Sequence, residues 1–111
     1  MDRVASYSDI IKRILDEYAA FFPKQEGVDV EKIYSDELGH YQVMYIGWEG
    51  KRRVHGMVLH LDIIGDKVWI QHDGTEDGVA DELVEAGIPK DKIVLAFHAP
   101  YKRQYTGFAV A

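Results

Sequence analysis

The middle of the chain alternates strand-forming runs with short turn signals, and this pattern constrains the fold most. β-branched and aromatic residues dominate the runs, which predict strands at 28–36, 40–48, 51–64 and 67–72. The turn signals between them are "LGH" near Gly39, "EG" at Glu49 and Gly50, and "GD" at Gly65 and Asp66. Strands joined by such short turns pair antiparallel, because parallel neighbours need long crossovers. The sequence therefore predicts an antiparallel meander of about four strands.

An amphipathic helix is predicted before the sheet. Its apolar residues recur at spacings of three and four, with charged residues between them: Val4, Tyr7, Ile10, Ile11, Ile14, Leu15, Tyr18 and Phe22. Pro23 should end this helix, because proline does not continue helical hydrogen bonding. The apolar stripe needs a sheet to cover, so we expect the helix to pack on one face of the meander.

The segment after the sheet reads as a second helix followed by a short strand. In "DGTEDGVADELVEAGIP" the helix would be capped by Asp73 or Thr75 and stopped by Gly87 and Pro89. The run "DKIVLAFH" predicts a short buried strand, and "APYKRQYTGFAVA" is an aromatic-rich tail without clear periodicity. We therefore predict one α+β domain over residues 1–111: an N-terminal helix on a meander, then a second helix and a short C-terminal strand and tail.

Length and composition exclude several classes of protein. A chain of 111 residues has room for one modest core. It contains no cysteine, so disulfides, thiolate zinc sites and cysteine nucleophiles are excluded. Its amino terminus interrupts apolar residues with charge, unlike a signal peptide, and no segment reaches a membrane-spanning length. We therefore expect a cytoplasmic protein without membrane contact.

The charge balance is acidic and uneven. The formal net charge of -6 disfavours direct nucleic-acid binding, because such affinity depends on Lys and Arg neutralising phosphates. Between Asp73 and Gly87 there are six acids and no base. Asp77, Asp81 and Glu85 follow at spacings of four, which stacks three carboxylates on one face of the predicted helix. This stripe is either a solvated face or a docking surface for a basic partner.

The stretch "VHGMVLHLD" carries the residue types of a metal or acid–base site in His55, His60 and Asp62. Strand side chains alternate faces, and the better core face carries Met57, Leu59, Leu61 and Ile63. That parity puts His55 on the core face and His60 and Asp62 on the other. The three converge only if a bulge interrupts the strand, for which Gly56 is a candidate. We expect no metal, and keep a site on His60, Asp62 and Asp73 as the alternative.

The second face of the predicted sheet collects large apolar groups. With a tight turn at Glu49 and Gly50, its members are Tyr41, Val43, Tyr45, Val54, Val58 and Trp69. A freely solvated face does not carry so many. Either the carboxy-terminal strand and tail fold across this face, or it is a protein interface, where aromatic residues are enriched. A homo-oligomer formed through this aromatic face is one such interface.

Catalytic and cofactor motifs receive no support. No serine lies in a glycine-flanked elbow with a histidine and a carboxylate, and the glycines form no phosphate-binding pattern. The basic spots "KRR" at 51–53 and "KR" at 102–103 are more typical of solvated turns than of a nucleic-acid surface. We therefore predict no catalytic residue and no cofactor.

Several longer motifs, in their order and spacing, resemble the XisI family of fdxN-element excision controlling factors. They are "YSDIIKRILDEYA", "GWEGKRRVHG", "DGTEDGVADELVEAGIPKDKIVLAFHAP" and "RQYTGFAV", and the resemblance covers essentially the whole chain. Members of this family accompany a site-specific recombinase and an endonuclease-related factor, XisH, in programmed DNA excision during cyanobacterial heterocyst development. The resemblance supplies no catalytic residues.

The resemblance implies a non-enzymatic regulatory subunit that binds an XisH-like protein. Our candidate partner-binding residues are Asp77, Asp81, Glu85, Tyr41, Tyr45, Trp69, Arg103 and Tyr105. Two alternatives stay open: a small-molecule or metal-binding enzyme that uses His60 and Asp62, and a factor that binds DNA directly.

Overall fold

The computed structural model describes residues 3–22 and 25–111, with side chains from Tyr7 onward. Its elements in chain order are α1 (Arg3–Phe21), β1 (Val28–Ser35), β2 (His40–Glu49), β3 (Arg52–Ile64), β4 (Lys67–Asp73), α2 (Ala80–Glu85) and β5 (Ile93–Leu95). The predicted α+β order of helix, meander, helix and short strand is confirmed. Pro23, predicted to end the first helix, lies outside the described residues.

The five strands form one sheet in the order of the sequence. Neighbours from β1 to β4 are antiparallel, as predicted for strands joined by short turns. β5 instead runs parallel to β4, with Val68 opposite Ile93 and Ile70 opposite Leu95. This parallel pair is possible because the segment containing α2 carries the chain back along the sheet before β5 begins.

α1 covers one face of the sheet, which we call the helix face, and the opposite side is the outer face. The core between helix and sheet contains fully buried aliphatic side chains from both layers: Ile11, Leu15, Leu59, Leu61, Val68, Ile70, Leu83 and Ile93. Each contributes about 1.5–3 kcal/mol by leaving water. The amphipathic pattern of α1 is therefore explained by its position on this face.

A bulge in β3 reverses part of the predicted face assignment. Met44 pairs with Met57 but Val43 pairs with Leu59, so Val58 is an extra residue without a partner in β2. Residues before Val58 consequently point to the face opposite to the one predicted. His55 and Met57 lie on the outer face, and the prediction that they share the core face with Leu59 was wrong.

The same bulge corrects the predicted contents of the second face. Residues opposite each other in a sheet share a face. Tyr41 is opposite Leu61 and Tyr45 is opposite Gly56, so these tyrosines lie on the helix face together with Val43, Val54 and Val58. Of the six large apolar residues predicted for the outer face, only Trp69 lies there.

The second helix is shorter than predicted. It begins at Ala80, because Gly78 has a φ of +83° that ends any regular helix before it. Asp77 therefore precedes α2, and only Asp81 and Glu85 of the predicted acidic stripe lie on the helix. Asp73 does not cap the helix at its first turn; its carboxylate accepts the Val79 amide at 2.7 Å and shapes the loop.

No helix in the described part of the chain is long and apolar enough to cross a membrane.

Candidate functional site

A polar cluster lies on the outer face where β2 and β3 run side by side. His40 is directly opposite Asp62, and Gln42 is directly opposite His60. Opposed residues in adjacent strands project to the same side with their Cβ atoms about 5 Å apart. The strand register therefore brings two imidazoles, a carboxylate and an amide close together.

Asp62 is the centre of this cluster. Its Oδ1 atom lies 2.7 Å from Nδ1 of His40 and 3.0 Å from Nε2 of His60. Its Oδ2 atom accepts a hydrogen bond of 3.2 Å from the amide of Gln71. Asp62 is only 7% exposed, whereas 53% of the His40 side chain is exposed. The cluster is therefore closed on the protein side and open to solvent at His40.

The sequence placed part of this cluster correctly. His60 and Asp62 were predicted on one face and do meet there. His55 shares that face but pairs with Ile46, four residues along β2 from Gln42, and is exposed. The carboxylate of Asp73, the third residue of the predicted metal alternative, is bound to Thr75 and Val79 in the loop before α2.

His40 is the residue that sequence reasoning missed. It lies 22 residues before Asp62, on a different strand. The signal that identifies it is the cross-strand register of β2 and β3. That register includes the bulge at Val58 and does not follow from the hairpin turn alone.

The tail covers the β4 side of the outer face. The Arg103 guanidinium lies 5.5 Å from the ring centre of Trp69 and donates hydrogen bonds to the carbonyls of His98 and Ala96, at 3.0 and 3.2 Å. Ala109 then donates to the carbonyl of Ile93 at 2.9 Å. The tail therefore covers this face around Trp69, whereas the C-terminal strand, which was expected to fold across the face with it, joins the edge of the sheet as β5. Tyr105 projects from the tail with 81% of its surface exposed.

The remaining outer face carries exposed apolar residues. Ile33 on β1, Trp48 on β2 and Ile64 on β3 are each about half exposed. Met44 and Met57 between them are half-buried. An interface therefore stays a prediction for this part of the sheet, away from the tail.

An acidic surface lies on the other side of the molecule, between the two helices. We define it by Glu17 on α1 and by Asp81, Glu82 and Glu85 on α2. Glu17, Glu82 and Glu85 line one groove together with Arg13, and the Tyr18 hydroxyl donates a hydrogen bond of 3.0 Å to Glu82. Phe21 lines a neighbouring pocket that shares Glu17 and Glu82 with this groove, and 86% of its surface is exposed. Exposed aromatic rings such as that of Phe21 are enriched at protein interfaces.

Of two predicted partner-binding tyrosines on β2, one is buried and the other is half-buried. Tyr41 is 1% exposed, and its hydroxyl lies 3.0 Å from Ser8 Oγ and 2.9 Å from Asp36 Oδ1. Tyr45 is half-buried against the edge of Phe22, with ring centres 4.6 Å apart. Burial raises the pKa of both phenols. Tyr41 belongs to the core, so its assignment to a partner surface is corrected, whereas the assignment of the half-buried Tyr45 stays a prediction.

Arg52, Arg53 and Lys102 in the basic spots contact residues of their own segments. Arg52 donates to Glu49 at 3.2 Å, and Arg53 lies over the Trp48 ring at 5.4 Å while donating to the carbonyl of Gly47. Lys102 lies over Tyr101 in the tail. These cations are local partners of aromatic rings and carboxylates.

Comparison with known proteins gives one consistent family. The model of the XisI protein family matches residues 1–110. The crystal structure of a XisI-like protein from Anabaena variabilis is similar with a TM-score of 0.94 and 41% identity, covering 97% of this chain and 99% of that one. The crystal structure of the fdxN element excision controlling factor XisI from Anabaena variabilis has a TM-score of 0.90 and 35% identity, covering 99% and 100%. No curated protein matches the chain.

Proposed function

Because this chain belongs to the XisI family, we propose that it is a non-catalytic accessory factor in the control of DNA-element excision that acts by binding an XisH-like protein. The observation that carries the proposal is the similarity, over nearly the full length of both chains, to an fdxN element excision controlling factor. The surfaces of the molecule support binding to a protein as the means of control.

The acidic surface supports a basic partner. Asp81 and Glu85 are exposed on α2, and among the described residues neither forms an ion pair. No Lys or Arg lies between Asp73 and Gly87 in the sequence, although Arg13 on α1 lines the groove beside Glu85. Unpaired carboxylates on one side of a molecule attract a positively charged surface and raise the rate of association. Asp77 extends this surface into the loop before α2.

Exposed aromatic rings supply the apolar component of the proposed interface. Phe21 stands beside the acidic groove, and Tyr105 projects from the tail. Aromatic side chains bury a large area at low entropic cost and are enriched at protein interfaces. In this proposal Trp69 and Arg103 hold the tail in place, so that Tyr105 is presented to the partner.

The two serines with described side chains, Ser8 and Ser35, support a non-catalytic role. Ser8 donates a hydrogen bond of 2.6 Å to Asp36, which also accepts from Lys12 at 2.8 Å. The Ser35 hydroxyl accepts the amide of Leu38 at 3.1 Å in the turn after β1. Neither serine hydrogen-bonds to a histidine in these contacts, so neither forms the Ser–His pair of the common serine hydrolases. Both serines stabilise local structure.

The proposal is tested with the purified chain and its XisH-like partner. Size-exclusion chromatography with light scattering should show a complex of defined stoichiometry when the two are mixed. The same measurement on the chain without its partner tests for self-association, which we expect through the outer face. In a reconstituted excision assay, omitting the chain should change the yield of excised element. A chain that elutes unchanged beside excess partner contradicts the binding mode, and DNA cleavage by the chain alone contradicts the non-catalytic role.

A further inference from the structure

The outer-face cluster has the composition and spacing of a metal site. His40, His60 and Asp62 each offer one ligand atom, and these atoms all lie within 4.8 Å of one another. We infer that the three side chains bind a divalent transition-metal ion, with Zn²⁺ as the reference ion. This inference does not depend on the proposed function.

The ligand chemistry fits this class of ion. Imidazole nitrogen and carboxylate oxygen bind Zn²⁺ at about 2.0–2.2 Å, which separates neighbouring ligand atoms by about 2.8–3.5 Å. The two nitrogens lie 2.7 and 3.0 Å from Asp62 Oδ1, close to that range. An ion binds when each imidazole carries its proton on the ring nitrogen that faces away from Asp62, so that His40 Nδ1 and His60 Nε2 offer lone pairs. Two imidazoles favour a first-row transition metal over Mg²⁺ or Ca²⁺, which prefer oxygen ligands.

The buried carboxylate gives an independent reason for a cation. Asp62 is almost excluded from solvent, and its described partners are two histidines and one amide. A buried carboxylate is normally compensated by a Lys or Arg, because burial of an unpaired charge is costly. None of the described partners of Asp62 is a Lys or Arg, so the compensating charge comes either from a protonated imidazole or, in this proposal, from the bound dication. Exposed polar residues on an ordinary strand face do not create this requirement.

Gln71 provides the outer support that metal ligands need. It is the extra residue of a second bulge, in β4, because His60 pairs with His72 while Leu61 pairs with Ile70. The bulge brings the Gln71 amide to 3.2 Å from Asp62 Oδ2 and leaves Oδ1 to the histidines. A hydrogen bond on the second oxygen orients a ligating carboxylate.

Three protein ligands leave a coordination position free. A structural zinc ion usually has four protein ligands, whereas a site with three protein ligands, as in zinc enzymes, keeps one position for water or an incoming group. The open side of the cluster is the His40 side, where about half of the ring is in contact with solvent. The geometry is therefore that of a site with a fourth position open to solvent.

The test is calorimetric titration of the tag-free chain, stripped with a chelator, with Zn²⁺ near neutral pH. We expect one Zn²⁺ per chain, and at least a tenfold loss of affinity in His40→Ala and in Asp62→Asn. His55→Ala is the matched control, because His55 is exposed on the same face but lies opposite Ile46. It should bind like the wild type. Absence of binding by the wild type, or equal affinity in His40→Ala, overturns the inference.

Two further measurements separate loss of ligands from loss of fold. His40 is exposed, so His40→Ala should keep the circular dichroism spectrum of the wild type. Its metal affinity therefore reports the loss of a ligand, even if Asp62→Asn unfolds the chain. Gln71→Ala should weaken binding by about 10–100-fold at unchanged stoichiometry, the usual effect of removing an orienting partner. The visible absorption of bound Co²⁺ reports the ligand set directly. A Co²⁺ spectrum that is identical in wild type and His40→Ala overturns the assignment of His40 as a ligand.

Discussion

Asp36 and Tyr41 tie the turn after β1 to the buried side of the sheet. The Tyr41 hydroxyl lies 2.9 Å from Asp36 Oδ1, and the same oxygen accepts a hydrogen bond of 2.6 Å from Ser8 on α1. Lys12, one helical turn further, donates to Asp36 Oδ2 at 2.8 Å. One surface carboxylate therefore links the helix, the turn and the sheet.

The first prediction concerns the pH dependence of stability. The hydrogen bonds from Lys12, Ser8 and Tyr41 lower the pKa of Asp36 from 3.8 to about 2. A pKa that is lower in the folded state means that Asp36 stabilises the fold above pH 3.8 and that this contribution is lost as the pH falls towards 2. The difference in urea midpoint between wild type and Asp36→Asn should therefore be constant at neutral pH and shrink over that window.

Glu37→Gln is the control for this measurement, because Glu37 is the exposed neighbour of Asp36 in the same turn. The lowered pKa values of Asp16 and Asp66 act equally in wild type and variant, so they cancel in the comparison. A difference between wild type and Asp36→Asn that is independent of pH down to 2 would show that the ionised carboxylate does not stabilise the turn.

The second prediction concerns the face assignment of β3. Leu61 is fully buried between α1 and the sheet, whereas Ile64, on the same strand, is 52% exposed. Leu61→Ala should lower the free energy of unfolding by about 2–5 kcal/mol, the usual range for a buried leucine. Ile64→Ala should cost less than about 1 kcal/mol. Chemical denaturation of both variants checks this, and similar costs would contradict the assignment.

The third prediction concerns the tail. Arg103 holds it through the Trp69 ring and two backbone carbonyls, so Arg103→Ala should release it from the sheet. The cation–π contact and hydrogen bonds together are worth about 1–3 kcal/mol. Limited proteolysis should then cut the variant faster within Pro100–Tyr105. Lys102→Ala is the matched control, because Lys102 contacts only the exposed ring of Tyr101 among the aromatic rings described. Equal cleavage rates would refute this role of Arg103.

The secondary structure follows from local sequence patterns, whereas the side of the sheet to which each residue of β3 points does not. The strand predicted at 51–64 is Arg52–Ile64, because a run of β-branched residues between two turn signals is a local property. The face of each residue depends on every residue between it and the turn. One extra residue at Val58 reverses the assignment of all positions before it. Gly56, the predicted bulge position, lies two residues away.

The same difference between local and long-range information decides which residues of the candidate sites could be predicted. His60 and Asp62 are two residues apart on one strand, so their common face can be predicted from the sequence. His40 joins them only through the pairing of two strands, which a single sequence does not specify. The position of Asp77 was wrong because the spacing of four assumes an unbroken helix, and the positive φ of Gly78 interrupts it.

The fourth prediction concerns the acidic surface and is the most direct test of partner binding. Asp81→Lys combined with Glu85→Lys reverses two exposed carboxylates on α2 that make no ion pair within the described residues. The matched control, Glu31→Lys with Glu37→Lys, makes the same change in net charge at exposed sites on β1 and the following turn. The free energy of unfolding of each variant should differ from that of the wild type by no more than about 0.5 kcal/mol per substitution, as expected for surface changes.

The deciding measurement is the rate of association with the XisH-like partner at low and high salt, by stopped flow. The account predicts that the α2 reversal slows association by roughly tenfold at low salt and flattens its salt dependence, because steering by the acidic surface is lost. The Glu31 and Glu37 control should keep most of the wild-type rate. Equal association rates for the α2 reversal and the wild type at low salt would contradict the account.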